Sequence, residues 1–196
     1  MKPNILLIII DGLRADKFFG SSKTSHTPNM DTLRKNGVYF NQAISSSDAT
    51  WICVGGILSS LYPFQSGITR FTNHERASQI YDVMKKHGYN TFTTTKNTIF
   101  FQTLTSKLDG RDLFPVDNPY LFSDFGDVGK TMIDRLESKN FKEPWFHYIH
   151  IMDLHRNVDY PLPEQFKDKK FGDNDYERMI SGIDFWIGKI LQKINL

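Results

Sequence analysis

The sequence has 196 residues, 39% hydrophobic and 14% aromatic, which supports a packed core and excludes a disordered chain. With 24 basic and 22 acidic residues the formal charge is +2, and no basic block or acidic tail points to nucleic acid as a partner. A single cysteine, Cys53, excludes an internal disulfide framework and fits a reducing compartment, so the expected location is cytoplasmic.

In chain order, the first element is the apolar run Ile5–Ile10, bounded by Pro3 and by Asp11-Gly12. It is too short for a membrane helix and lacks the cleavage site of a signal peptide, and its β-branched content predicts a strand buried on both faces. "LRADKFF" follows as a short helix. "TPNMDTLRKNG" reads as a helix in which Thr27 caps, Pro28 takes the first turn and Gly37 ends it. "VYFNQAI" alternates like a strand. After the polar loop Ser45–Asp48, residues Thr50 to Leu61 carry Ile52, Ile57, Leu58 and Leu61 at roughly helical spacing. "SQIYDVMKKHG" predicts an amphipathic helix ending at Gly88, and "YNTFTTT" a Thr-rich strand. The Asp-, Gly- and Pro-rich stretch Lys107 to Asp124 reads as an irregular surface loop. "VGKTMIDRLESK" predicts a helix, "WFHYIHIM" a strand, and "DYERMISGIDFWIGKILQKI" a long amphipathic helix.

Strands alternating with helices predict an α/β fold with a mostly parallel central sheet flanked by helices. In such sheets reactive groups collect at the carboxyl ends of strands. Asp11, Lys96 and the pair Asp153/His155 each follow a predicted strand, which together suggests a site for an anionic substrate with a metal ion. A carboxylate directly after a buried apolar strand, as at Asp11, is costly unless paired, hydrogen-bonded or metal-bound. Helix capping is the other role open to it. Arg14 either orients Asp11 or is a solvated helix residue, and the solvated reading is preferred. Alternation along "WFHYIHIM" puts His147 and His150 on opposite faces, with packing expected for both.

The order of "PNILLIIIDGLRAD", "TPNMDTLRKNGVYFNQAIS", "LSSLYPFQSGI", "KKHGYNTFTTTK", "HIMDLH" and "ISGIDFWIGKIL" resembles the N-terminal part of the sulfatases and their alkaline-phosphatase superfamily relatives. Thr27, Pro28, Asn29, Asp31, Leu33, Gly37 and Phe40, with Leu61-Tyr62-Pro63 and Gly67, carry the likeness, which spans nearly the whole chain. The resemblance implies an alkaline-phosphatase-like fold, with residues 1–196 as the N-terminal portion of one sulfatase-like domain.

Sulfatases carry C-x-P-S-R and then a helix ending in T-G-L-Y-P. Counted back from Leu61-Tyr62-Pro63, the nucleophile position falls on Thr50, and the Pro, Ser and Arg positions become Ile52, Cys53 and Val54. Cys53 therefore lacks the neighbours that formylglycine formation needs, and it is expected to be a small buried thiol. Relatives acting on phosphate esters place threonine at this position and often read Asp-Gly after the first strand, as Asp11-Gly12 does. The resemblance thus implies Thr50 as nucleophile toward phosphorus, and Asp11, Thr50 and Asp153 as ligands of a divalent cation: Mn, Zn, Mg or Ca. Thr50 as a plain helix cap is the structural alternative. Gly88, Tyr89, Thr91 and Lys96 match the G-Y-x-T-x-x-x-G-K pattern, which implies that Lys96 binds substrate, although the following W-H pair is Asn97-Thr98. "HIMDLHRNVDYPLPEQF" keeps Asp153, His155, Tyr160 and Pro163 of a further motif, which implies His155 as substrate ligand or general acid.

Family members continue past the helix that contains Asp184 into a strand ending in an Asp-His or Asp-Asn metal pair, and the sequence ends at Leu196 before it. The expectation is therefore an incomplete C-terminus, an exposed sheet edge that favours homo-oligomers, and a metal short of protein ligands. Two functions follow. One is a metal-dependent hydrolase or transferase of small anionic phosphate or sulfate esters, with no nucleic acid or membrane segment involved. The other is a truncated, non-catalytic α/β domain that binds an anion or a partner chain.

Overall fold

The computed structural model describes residues 2–69, 79–115, 127–138, 142–155 and 162–194. Among these, four strands form one sheet: β1 (Ile5–Ile10), β2 (Asn90–Lys96), β3 (Gly110–Phe114) and β4 (Trp145–Ile151), in the order β1-β4-β2-β3. Strand β2 pairs parallel with β3, from Phe92 opposite Gly110 to Lys96 opposite Phe114. It also pairs parallel with β4, from Asn90 opposite Trp145 to Thr94 opposite Ile149. Helices interleave with the strands in sequence, and the α/β class with a mostly parallel sheet stands as expected.

Two compact units divide the chain. The first contains residues 1–7, 40–115 and 142–149, and the second 8–39, 116–141 and 150–196. The first holds α3 (Thr50–Ser59), α4 (Pro63–Ser66), α5 (Gln79–Lys86) and α6 (Ile99–Leu104). Its core contains Tyr81, Phe101, Leu104, Phe146, Tyr148 and Ile149. Strand β2 buries four threonines, Thr91, Thr93, Thr94 and Thr95, in this interior. β-Branching suits the strand, and three of the hydroxyls meet partners that offset desolvation. Thr91 Oγ1 donates to Asp109 at 2.9 Å, Thr93 Oγ1 to the Tyr148 carbonyl at 2.9 Å, and Thr94 Oγ1 lies 2.9 Å from His147 Nε2.

The second unit holds α1 (Ala15–Phe18), α2 (Pro28–Asn36), α7 (Asp127–Glu137) and the 19-residue α8 (Asp175–Lys193). Asn174 caps α8, its side chain accepting from the Glu177 N–H, and the buried stripe Met179, Ile180, Ile183, Ile187 and Ile190 supplies the core.

Three expectations need correction. Strand β1, expected to be buried on both faces, is half-buried along its whole length, as suits the end strand of the sheet order. Residues 38–44, predicted as a strand, are irregular, and Val38, Phe40 and Ile44 are exposed. Alternation alone does not make a strand; among the described residues no neighbour pairs with this one. The stretch predicted as a loop from Lys107 contains β3, whose charged residues Arg111 and Asp112 are tolerated because it lies at the sheet edge. Residues 116–124 of that loop lie outside the described residues.

Candidate functional site

In the second unit, Asp11 follows β1 directly, and its N–H donates to the Ile151 carbonyl at the end of β4 at 2.9 Å. Gly12 takes φ +76°, and a Cβ there would stand 2.7 Å from the Leu154 carbonyl oxygen. Only glycine fits this turn, so Gly12 after Asp11 is a backbone requirement. The Gly12 carbonyl accepts from Tyr176 Oη at 2.7 Å, and Tyr176 Oη in turn accepts from the Arg14 N–H at 2.9 Å, so α8 clamps the turn. Arg14 directs its guanidinium to Asp16 at 2.8–2.9 Å in solvent, as the solvated reading expects.

The Asp11 carboxylate is 17% exposed, and its Oδ2 lies 3.5 Å from Nε2 of fully buried His150. Burial holds the His150 pKa below its usual value; Asp11 pulls the other way, and nearby His155 adds to the depression. The imidazole is therefore neutral at neutral pH. His147 packs as expected, but packing alone does not describe His150, which faces a predicted site residue. Alternation told the two faces apart but not what lay across from each.

Asp153 and His155 occupy the turn after β4. Asp153 is 6% exposed, and His155 is half-buried with its N–H donating to the Met152 carbonyl at 2.9 Å. Tyr160 of the same motif lies outside the described residues. As to a metal, the largely buried Asp11 carboxylate beside the His150 imidazole is suitable in kind for a divalent cation. In number the donors fall short: among the described residues no group of three or more His, Cys, Asp or Glu side chains is placed to hold one.

In the first unit, Thr50 is the first residue of α3. The N-cap position is taken by Ala49, whose side chain makes no cap hydrogen bond, and Thr50 follows as the first helical residue. Ile52 and Cys53 N–H groups donate to the Ala49 carbonyl at 3.1 and 3.0 Å. Cys53 is half-buried, not fully buried. Its Sγ donates to the Ser47 carbonyl at 2.9 Å and lines a cavity of about 420 Å³ with Ile44, Ser46, Gly56, Leu61 and Tyr62. The thiol helps order the loop before α3.

Lys96 ends β2 and is 3% exposed, with Nζ 3.4 Å from the Pro115 carbonyl. An ammonium so far from water needs oxygen neighbours, and the Pro115 carbonyl is one of them. At the family's W-H position, Thr98 instead caps α6, its Oγ1 accepting from the Phe101 N–H at 3.3 Å.

Among the described residues no helix is long and apolar enough to cross a membrane. A comparison with curated proteins gave no match. Solved structures gave several. A protein assigned as a sulfatase, yidJ of Bacteroides fragilis, is 16% identical with a TM-score of 0.67; the match covers 98% of this chain and 58% of that one. The soluble domain of lipooligosaccharide phosphoethanolamine transferase A from Neisseria meningitidis is 14% identical with a TM-score of 0.63, over 98% of this chain and 62% of the other. A member of the alkaline phosphatase superfamily from Vibrio parahaemolyticus is 19% identical with a TM-score of 0.54, over 98% and 50%. At such identities the likeness is one of fold, which is alkaline-phosphatase-like, and the chain spans roughly half the length of these structures. The profile described as Sulfatase matches residues 3–195, and the chain belongs to the sulfatase family.

Proposed function

We propose that this chain carries Thr50 as the nucleophile of a phosphate-ester hydrolase or phosphotransferase of the sulfatase family, in the N-terminal portion of the domain. The observation that supports this most is the position of Thr50 at the head of the ten-residue α3 behind a residue that cannot cap. First-turn N–H groups and the helix dipole favour an anion there. Thr50 Oγ attacks phosphorus and its proton passes to solvent. The ester P–O bond breaks, His155 protonates the leaving alcohol, and water or an acceptor alcohol resolves the phosphothreonine. Lys96 holds a non-bridging oxygen as a point charge. Asp11, Thr50 and Asp153 are the residues proposed to hold a divalent cation. When bound, the cation would lower the hydroxyl pKa and neutralise charge on the ester.

Phosphate is preferred over sulfate because threonine stands where sulfatases carry the cysteine precursor of formylglycine. Transfer to an alcohol is the activity that the Neisseria neighbour's name describes, and for this chain it is part of the proposal. The reducing, cytoplasmic compartment expected from the single cysteine belongs to the same reading.

The test is turnover of an aryl phosphate, a phosphodiester and an aryl sulfate with Mn²⁺, Zn²⁺, Mg²⁺ or Ca²⁺. Thr50→Ala is expected to lose about 10³-fold or more in kcat, and Cys53→Ala to keep its rate. Equal rates in wild type and Thr50→Ala would refute the nucleophile.

A further inference from the structure

His150 has no role in the chemistry above, yet its imidazole is 0% exposed and its Nε2 lies 3.5 Å from Oδ2 of Asp11. The backbone around this contact is fixed on both sides. The Asp11 N–H is tied to the carbonyl of Ile151, the residue after His150, at 2.9 Å. Gly12 is pressed against the Leu154 carbonyl, where a Cβ would stand 2.7 Å away. Tyr176 holds the Gly12 carbonyl from the other side at 2.7 Å. Residue 11 therefore cannot shift as a whole, and what remains is rotation of its carboxylate about χ1 and χ2. A carboxylate that binds a cation through one oxygen is oriented by what its other oxygen meets.

We infer that His150 is a positioning residue for Asp11: its Nε2–H donates to Oδ2 and fixes the carboxylate rotamer, leaving the other oxygen for the ligand role. At 3.5 Å the contact is long for a hydrogen bond, and a small rotation of the carboxylate closes it. The orientation stands on the contact itself; only its use in binding a cation rests on the function proposed above.

Two measurements on the full chain test this separately. The first is ¹⁵N NMR of the imidazole ring in metal-free protein, which needs no variant at residue 150. The Nε2–H tautomer is expected in wild type, with the fixed preference lost in Asp11→Ala. An Nδ1–H tautomer, or a spectrum unchanged in Asp11→Ala, overturns the proposal. The second is calorimetric titration with Mn²⁺, with thermal midpoints measured alongside. His150→Gln, which keeps a donor at similar reach, is expected to bind like wild type, and His150→Leu about 10- to 100-fold more weakly. If Asp11→Ala loses Mn²⁺ while His150→Leu binds as wild type does, positioning is refuted and the ligand reading survives. If wild type binds no Mn²⁺, or Asp11→Ala binds it as tightly, the ligand reading fails, and the tautomer result alone decides the positioning.

Discussion

Asp184 is 1% exposed and is held by donors at the start of one helix. It accepts from the Met30 N–H at 2.7 Å, the Asn29 N–H at 3.3 Å and Asn29 Nδ2 at 2.8 Å, so α8 supplies the anion that α2 needs at its N-terminus. Burial pushes its pKa up while these donors pull it back, and the net position is above the usual carboxylate value. Removing the carboxylate leaves buried N–H groups without an acceptor. Asp184→Ala is expected to cost about 2–3 kcal/mol in denaturant unfolding, and Asp184→Asn to lose less. An unchanged midpoint would show that the helix start is satisfied some other way. Asn29 and Asp184 were both legible in the sequence as parts of family motifs, but only as signatures. Their pairing lies across 155 residues of sequence and becomes visible only in the fold. His150 escaped the sequence reading for a related reason: a strand pattern assigns faces, whereas a partner depends on the neighbouring strand.

At the scale of elements, glycines set how closely the helices of the second unit approach. A Cβ on Gly129 of α7 would overlap the indole of Trp186 on α8, and one on Gly188 would overlap the Asn29 side-chain amide. Gly129→Ala is expected to destabilise by about 1–3 kcal/mol, read as a lower urea midpoint. A neutral result would mean that the indole moves aside freely. Helices α2, α5, α7 and α8 and strands β1, β2 and β4 were readable from periodicity or apolar content, and β2, β4 and α8 bury their residues most strongly. Two stretches were not. Residues 38–44 have the alternation of a strand without a partner, and β3 has the charge of a loop with a partner in β2. Backbone pairing decided both cases, and pairing is not encoded in a local pattern. Thr50 was placed correctly at a helix start because Leu61-Tyr62-Pro63 fixed the count; Ser60, with φ 56°, ends α3 just before that triplet.

At the scale of the whole chain, acid lability should follow Glu177. It is 1% exposed, 3.0 Å from Lys17 Nζ, and accepts from Asn174 Nδ2 at 2.9 Å. Burial pushes its pKa up, but the hydrogen bonds from Thr24 and Lys17 outweigh this and leave it below the usual 4.5. A depressed carboxylate contributes stability that is complete above the unfolded value and is lost as pH falls through the folded one. The thermal midpoint of wild type is therefore expected to fall more steeply below pH 4.5 than that of Glu177→Gln. Parallel curves would remove Glu177 from the acid response. Family membership and an alkaline-phosphatase-like fold frame the chemistry without identifying the attacking atom, and the identity of that atom is the central claim. The direct measurement is peptide mass spectrometry after rapid acid quench of the protein turning over an aryl phosphate with its best cation. A phosphoryl group on Thr50, absent in Thr50→Ala, is the predicted result. Turnover with Thr50 unmodified and the phosphoryl group on another residue would contradict it.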